Sequence, residues 1–114
     1  MRYTTFAAAA VAAAVTTAPL IAQAEVIDSY TTADNTKGRV YHIHPTDQAR
    51  TTGSSALTAN PGPELESKGI QPTASLVQQL NCHMAFAGNK PVWNIESWRP
   101  EVSVFSLILH GCNP

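Results

Sequence analysis

The opening 24 residues carry a single charge, Arg2, followed by the uncharged run Phe6–Ile21, rich in alanine, and a small-x-small ending at Ala22-Gln23-Ala24. A basic start, an apolar stretch and that ending describe a secretory signal peptide cleaved after Ala24. Pro19 breaks the apolar helix ahead of the cleavage point and leaves Ala22–Ala24 extended for a peptidase. The apolar run is 16 residues, short of the ~20 that a spanning helix needs. The residue directly after the cleavage point is Glu25, not the cysteine that a lipid anchor requires. The expected organisation is residues 1–24 as signal peptide and residues 25–114 as one small domain, secreted, with no membrane span after cleavage.

What remains is short for a stable core. A domain of this size buries only about 60–65% of its unfolded surface, so a covalent staple is expected, and Cys82 and Cys112 are the only two cysteines in the chain. In an oxidising compartment such a pair is most simply a disulfide. Closing a loop of 31 residues contributes roughly 3.5–4 kcal/mol in the chain-entropy treatment. All eight Asp and Glu lie beyond the leader, with six of the seven Lys and Arg, so the exported part carries a net charge of −2. Without a basic cluster there is no electrostatic footprint for nucleic acid. The apolar content of 44% with little net charge argues against global disorder.

Val26–Thr32 is rich in strand formers, Ala33–Gly38 has turn chemistry, and Arg39–His44 reads as a second strand stopped by Pro45, together a β-hairpin. Thr51–Pro63 is loop by composition, and a mobile one. Pro72–Leu80 predicts a short helix with Thr73 as N-cap. Phe86–Lys90 predicts a strand running into a turn, with Val92–Ile95 as the returning strand. Val102, Phe105, Ile108 and Leu109 fit helical spacing, and Gly111 suits a helix end, so Pro100–Leu109 reads as helix. The predicted fold is α+β: a small antiparallel sheet of three or four strands, one or two helices on one face, one disulfide.

Cys82-His83, then Lys90-Pro91-Val92-Trp93-Asn94-Ile95-Glu96-Ser97-Trp98-Arg99-Pro100, then the closing Cys112-Asn113-Pro114, resemble a family of small exported bacterial proteins, domain of unknown function 2599. Ile95 stands where that family usually has leucine, and the tryptophan expected near Glu64-Leu65-Glu66 is absent. The resemblance implies export and the Cys82–Cys112 disulfide, and it assigns no activity.

Three functional readings follow from the residues. The leading one is a non-enzymatic binding module for a protein or envelope component, with Trp98 as a flat platform, Arg99 as a bidentate fork and His83 alongside. A small secreted hydrolase is the second, with Glu96 orienting His83 as an acid–base pair. The third is a metal-binding envelope protein: His42 and His44, two apart on one strand, face the same way, and His83 or His110 would complete the set. The structural alternatives are an Arg99 ion pair with Glu96 or Glu101, and a hydrogen-bonded His83 beside a buried disulfide. Phosphate-cradling glycine loops, His-Glu-x-x-His and calcium-loop ladders do not occur. No cofactor is expected, and the domain is expected to be a monomer.

Overall fold

The computed structural model describes residues 24–114; the proposed signal peptide therefore lies outside the described residues, apart from Ala24. The elements in order are β1 (Ile27–Asn35), β2 (Gly38–Pro45), α1 (Asp47–Arg50), a 3-10 turn (Gly53–Thr58), α2 (Gly62–Ser67), α3 (Ala74–Phe86), β3 (Trp93–Glu96) and α4 (Val104–Leu109). The three strands form one antiparallel sheet in the order β1-β2-β3. The α+β class, the three-strand sheet and the disulfide are as the sequence predicts, with more helical segments than expected.

The hairpin forms where the β-branched residues sit, and its turn is tighter than the composition suggests. The side-chain oxygen of Asn35 accepts from the amides of Lys37 (2.8 Å) and Gly38 (3.2 Å), an Asx turn that leaves Gly38 at φ +148°. A side chain there would also run into Ser97 Oγ and the Trp98 ring. In the sheet, Tyr41 lies opposite Ile95 and Ile43 opposite Trp93. Ile43, Trp93 and Ile95 are fully buried and meet Ile27, Leu65, Ile70, Leu76, Leu80 and Met84 in one core.

Two expectations are overturned. Thr51–Pro63 is not an open loop: it forms the 3-10 turn and runs into α2, with Ala56, Pro61 and Gly62 buried. Small residues there fit against α3, which is why a loop-like composition packs. Phe86–Lys90 is not a strand. The helix capped by Thr73, whose hydroxyl accepts from Leu76 N–H (3.2 Å), runs on to Phe86. The indole N–H of Trp93 donates to the Ala87 carbonyl at the helix end (2.8 Å). The turn beyond is held by the Arg50 guanidinium, which donates to the Gly88, Lys90 and Pro91 carbonyls. Gly88 is required by this packing, because a Cβ there would lie 2.2 Å from the Arg50 carbonyl oxygen.

Two adjacent glutamines of α3 fasten the C-terminal third. Gln79 is fully buried. Its oxygen accepts from Glu96 N–H (2.8 Å), and its amide nitrogen donates to the Glu96 carbonyl (3.0 Å) and to Ser75 Oγ (3.0 Å). Gln78 grips Val102 in the same way, accepting from its N–H (3.0 Å) and donating to its carbonyl. Beyond this strap Ser103 caps α4, its hydroxyl accepting from Ser106 N–H (3.2 Å). The helix closes with Gly111 and Cys112 at φ +63° and +71°. Gly111 N–H donates to Ile108 O (3.1 Å) and Cys112 N–H to Leu107 O (2.9 Å), the paired bonds of a Schellman end. That reversal aims Cys112 at Cys82, whose sulfur it bonds with a Cα separation of 5.5 Å.

Candidate functional site

The helical spacing of Val102, Phe105, Ile108 and Leu109 is real, but most of that face points to solvent. Leu107 alone of α4 is buried, packing with Cys82, Cys112 and Val102 in a small second cluster. Val104, Phe105, Ile108 and Leu109 occupy the adjoining arc of the helix and are all exposed, Phe105 by 72% and Leu109 by 65%. Phe86, at the end of α3, is also half exposed. It borders the same region, because Phe86 and Ile108 both line a cavity of about 130 Å³. The remaining walls come from Cys82, His83, Ala87, Lys90, Gly111 and Cys112. An apolar surface of this kind beside a disulfide-walled hollow is the least expected feature of so small a molecule.

His83 sits in the wall of that cavity, buried to 4% exposure. Its Nδ1 lies 2.8 Å from the Gln79 carbonyl. A carbonyl only accepts, so Nδ1 carries the proton and Nε2 keeps its lone pair. Its ring centroid lies 6.2 Å from that of Trp93. Burial is the main influence and pushes the pKa below the ordinary histidine value; the Gln79 carbonyl pulls it up, Lys90 down and Glu96 up. A depressed folded-state pKa means that the stability contributed by neutral His83 is fully present above about pH 6.5, the unfolded value. It is lost as pH falls below that toward the folded-state value. The melting temperature is expected to drop between pH 7.5 and 5. His83→Asn, which keeps a donor for Gln79, should flatten that decline; parallel pH profiles for the two proteins would remove His83 as its source.

The other sequence-predicted residues fall in two places. Glu96 does not hydrogen-bond His83: its carboxylate accepts from Arg99 Nε at 2.8 Å. Arg99 also donates to the Pro114 carbonyl (3.3 Å), and its guanidinium carbon lies 5.5 Å from the centre of the Trp98 ring. Trp98 and Arg99 are half buried, and the buried indole N–H of Trp98 has no acceptor among the described residues. The Arg99 fork is thus already occupied from within the chain. His42 and His44 lie on the sheet face opposite the core, where His42 Nδ1 meets the Asn94 side-chain oxygen at 2.7 Å. Among the described residues no third histidine, cysteine or carboxylate joins them in a metal-sized cluster. His110 bonds its own helix, at Ser106 O (2.8 Å).

Sequence reasoning missed Phe86, Lys90 and the outward aim of α4. The available signal was an excess of apolar residues over what one buried stripe of a six-residue helix can use.

Fold and surface together define a small disulfide-bonded α+β domain whose last helix presents its apolar face outward. Comparison with known proteins places it further: the chain belongs to the family described as Protein of unknown function (DUF2599), matched over residues 27–114. Similar curated proteins are uncharacterized proteins of Mycobacterium bovis and of two strains of Mycobacterium tuberculosis. Each is 41% identical over 46 residues, covering 37% of this chain and 31% of the relative. The chain therefore spans about a third of the length of the curated relatives it matches. No solved structure matches it.

Proposed function

We propose that the chain is an exported, non-enzymatic interaction domain of the extracellular space or cell envelope. Its contact surface is the outward apolar face of α4 with Phe86 and the His83 cavity, which shares His83 with the Trp98, Arg99 and His83 set expected from the sequence. The observation that carries this is the exposure of four apolar side chains on one short helix, which costs solvation free energy with no return inside the monomer. Export is supported by where the fold takes hold of the chain. Among the described residues Glu25 is the first bonded to it, its carbonyl accepting from Thr46 Oγ1 (2.7 Å), and the Glu64 carboxylate accepts from the amides of Val26 and Ile27 at 2.7–3.0 Å. Cleavage after Ala24 leaves every one of these bonds intact. A non-enzymatic role is supported by the commitments of His83 to the Gln79 carbonyl and of Glu96 to Arg99.

One experiment addresses both parts. The full chain, expressed in a secreting host with a photoreactive phenylalanine analogue at position 105, should appear in the medium with Glu25 at its N-terminus. On illumination it should crosslink. A control analogue at Thr31, on the exposed outer sheet face, should not. Retention of residues 1–24, or equal crosslinking from both positions, overturns the reading.

A further inference from the structure

Taking that contact surface as given, we propose that its occupant is a second copy of this chain, in a two-fold pair where Phe105 of each copy seats its ring in the cavity beside the other copy's Cys82–Cys112 disulfide. This departs from the monomer expected from sequence. Four observations lead to it.

First, the surface holds both a knob and a hole. Phe105 is the most exposed large apolar side chain described, at 72%, and the cavity of about 130 Å³ is close in size to the ~150 Å³ apolar cavity that accommodates benzene. A cavity that small takes one side chain rather than a whole ligand, the usual form of an interface anchor.

Second, the spacing suits a two-fold axis. Phe105 lies three residues from Ile108, which lines the cavity, a rise of about 4.5 Å along the helix. An axis passing between them crosses two α4 helices antiparallel and brings each Phe105 onto the other copy's Ile108. An isologous interface requires this kind of self-complementarity.

Third, charge does not oppose the approach. Val102 to Leu109 contains no ionised side chain, so the two α4 helices meet without like-charge repulsion. The cation at the cavity wall, Lys90, is placed to lie against the incoming aromatic ring.

Fourth, the area is sufficient. The exposed parts of Phe86, Val104, Phe105, Ile108 and Leu109 amount to about 500 Å². A pair that covers all of it buries about 1,000 Å², the lower bound for a specific interface.

Sedimentation equilibrium of the secreted, disulfide-bonded protein tests the pairing. Across about 1–200 µM the apparent mass should rise from one chain to nearly two. Phe105→Asp should hold it at one chain throughout while leaving the far-ultraviolet circular dichroism and melting temperature of the dilute protein unchanged, since Phe105 buries little in the single chain. Phe86→Ala should weaken association about tenfold. A single chain at every concentration overturns the pairing, as does a dimer that survives Phe105→Asp. If the single-chain protein instead floats with phosphatidylcholine vesicles, and Phe105→Asp stops it, the occupant is a lipid surface: the pairing fails and the contact surface stands. If position 105 crosslinks to nothing as well, both fail.

Discussion

Replacing Gln79 by leucine is expected to bring the domain to the edge of unfolding. The substitution keeps the apolar stem and removes an amide whose two donors and two acceptor positions are all in use. Besides Glu96 N–H and C=O and the Ser75 hydroxyl, the Gln79 oxygen accepts from Asn113 Nδ2 at 3.1 Å. The residue is fully buried, so the abandoned Glu96 groups have little access to water in exchange. Each buried group left unpaired costs about 1–3 kcal/mol, and two or three of them amount to about 3–5 kcal/mol against a total stability of about 5–15 kcal/mol. Gln78→Leu is the matched comparison. Its partner Val102 is half exposed, its groups reach water, and a loss of about 1–2 kcal/mol is expected. Urea midpoints of the two variants decide the matter. Equal shifts would mean that the Gln79 clamp adds nothing to what a solvent-facing amide contributes.

Opening the Cys82–Cys112 bond is the second large effect. The bond spans 30 positions, and its removal should cost roughly 3.5–4 kcal/mol through the regained freedom of the unfolded chain. For a domain of this size that corresponds to a fall in melting temperature of roughly 15–30 °C. The loss should begin at the C-terminus, because α4 buries only Leu107 and without the bond its two ends are held by side-chain hydrogen bonds: Gln78 to Val102, Asn113 to Gln79 and Asn94, and Arg99 to the Pro114 carbonyl. Thermal melts of the double Cys82→Ser, Cys112→Ser protein beside the oxidised one measure the difference. Coincident melting curves would show that the clamps suffice.

The elements legible in the sequence were those encoded locally. β-branched runs around Asn35–Gly38 give the hairpin, Thr73 marks the start of α3, Gly111 marks the end of α4, and a lone cysteine pair gives the disulfide. The continuation of α3 through Asn81, Cys82 and His83 was hidden because this helix is enclosed on most sides and buries Ser75, Gln79, Asn81 and His83 along with its leucines. A helix surrounded by packing shows no clean polar stripe. Arg99 could be matched to Glu96 from their spacing, while its bond to the Pro114 carbonyl needs the fold. The candidate surface was half legible. Period 3.6 groups Phe105, Ile108 and Leu109 on one face, but periodicity says nothing about whether that face turns inward or outward. Leu107 and the disulfide decide it, by tethering the adjoining side.

The side-chain amides at β3 have a further effect on how these molecules can join. Three outward groups of that strand are already taken, Glu96 N–H and C=O by Gln79 and the Asn94 carbonyl by Asn113 at 3.0 Å. No incoming strand can extend the sheet there. The opposite edge, β1, has no strand beyond it among the described residues. A sheet with one blocked end and one open end can accept a neighbour on a single side. Strand-by-strand growth therefore stops after one addition, and a chain with this fold cannot propagate into a continuous fibre while Gln79 and Asn113 hold their places.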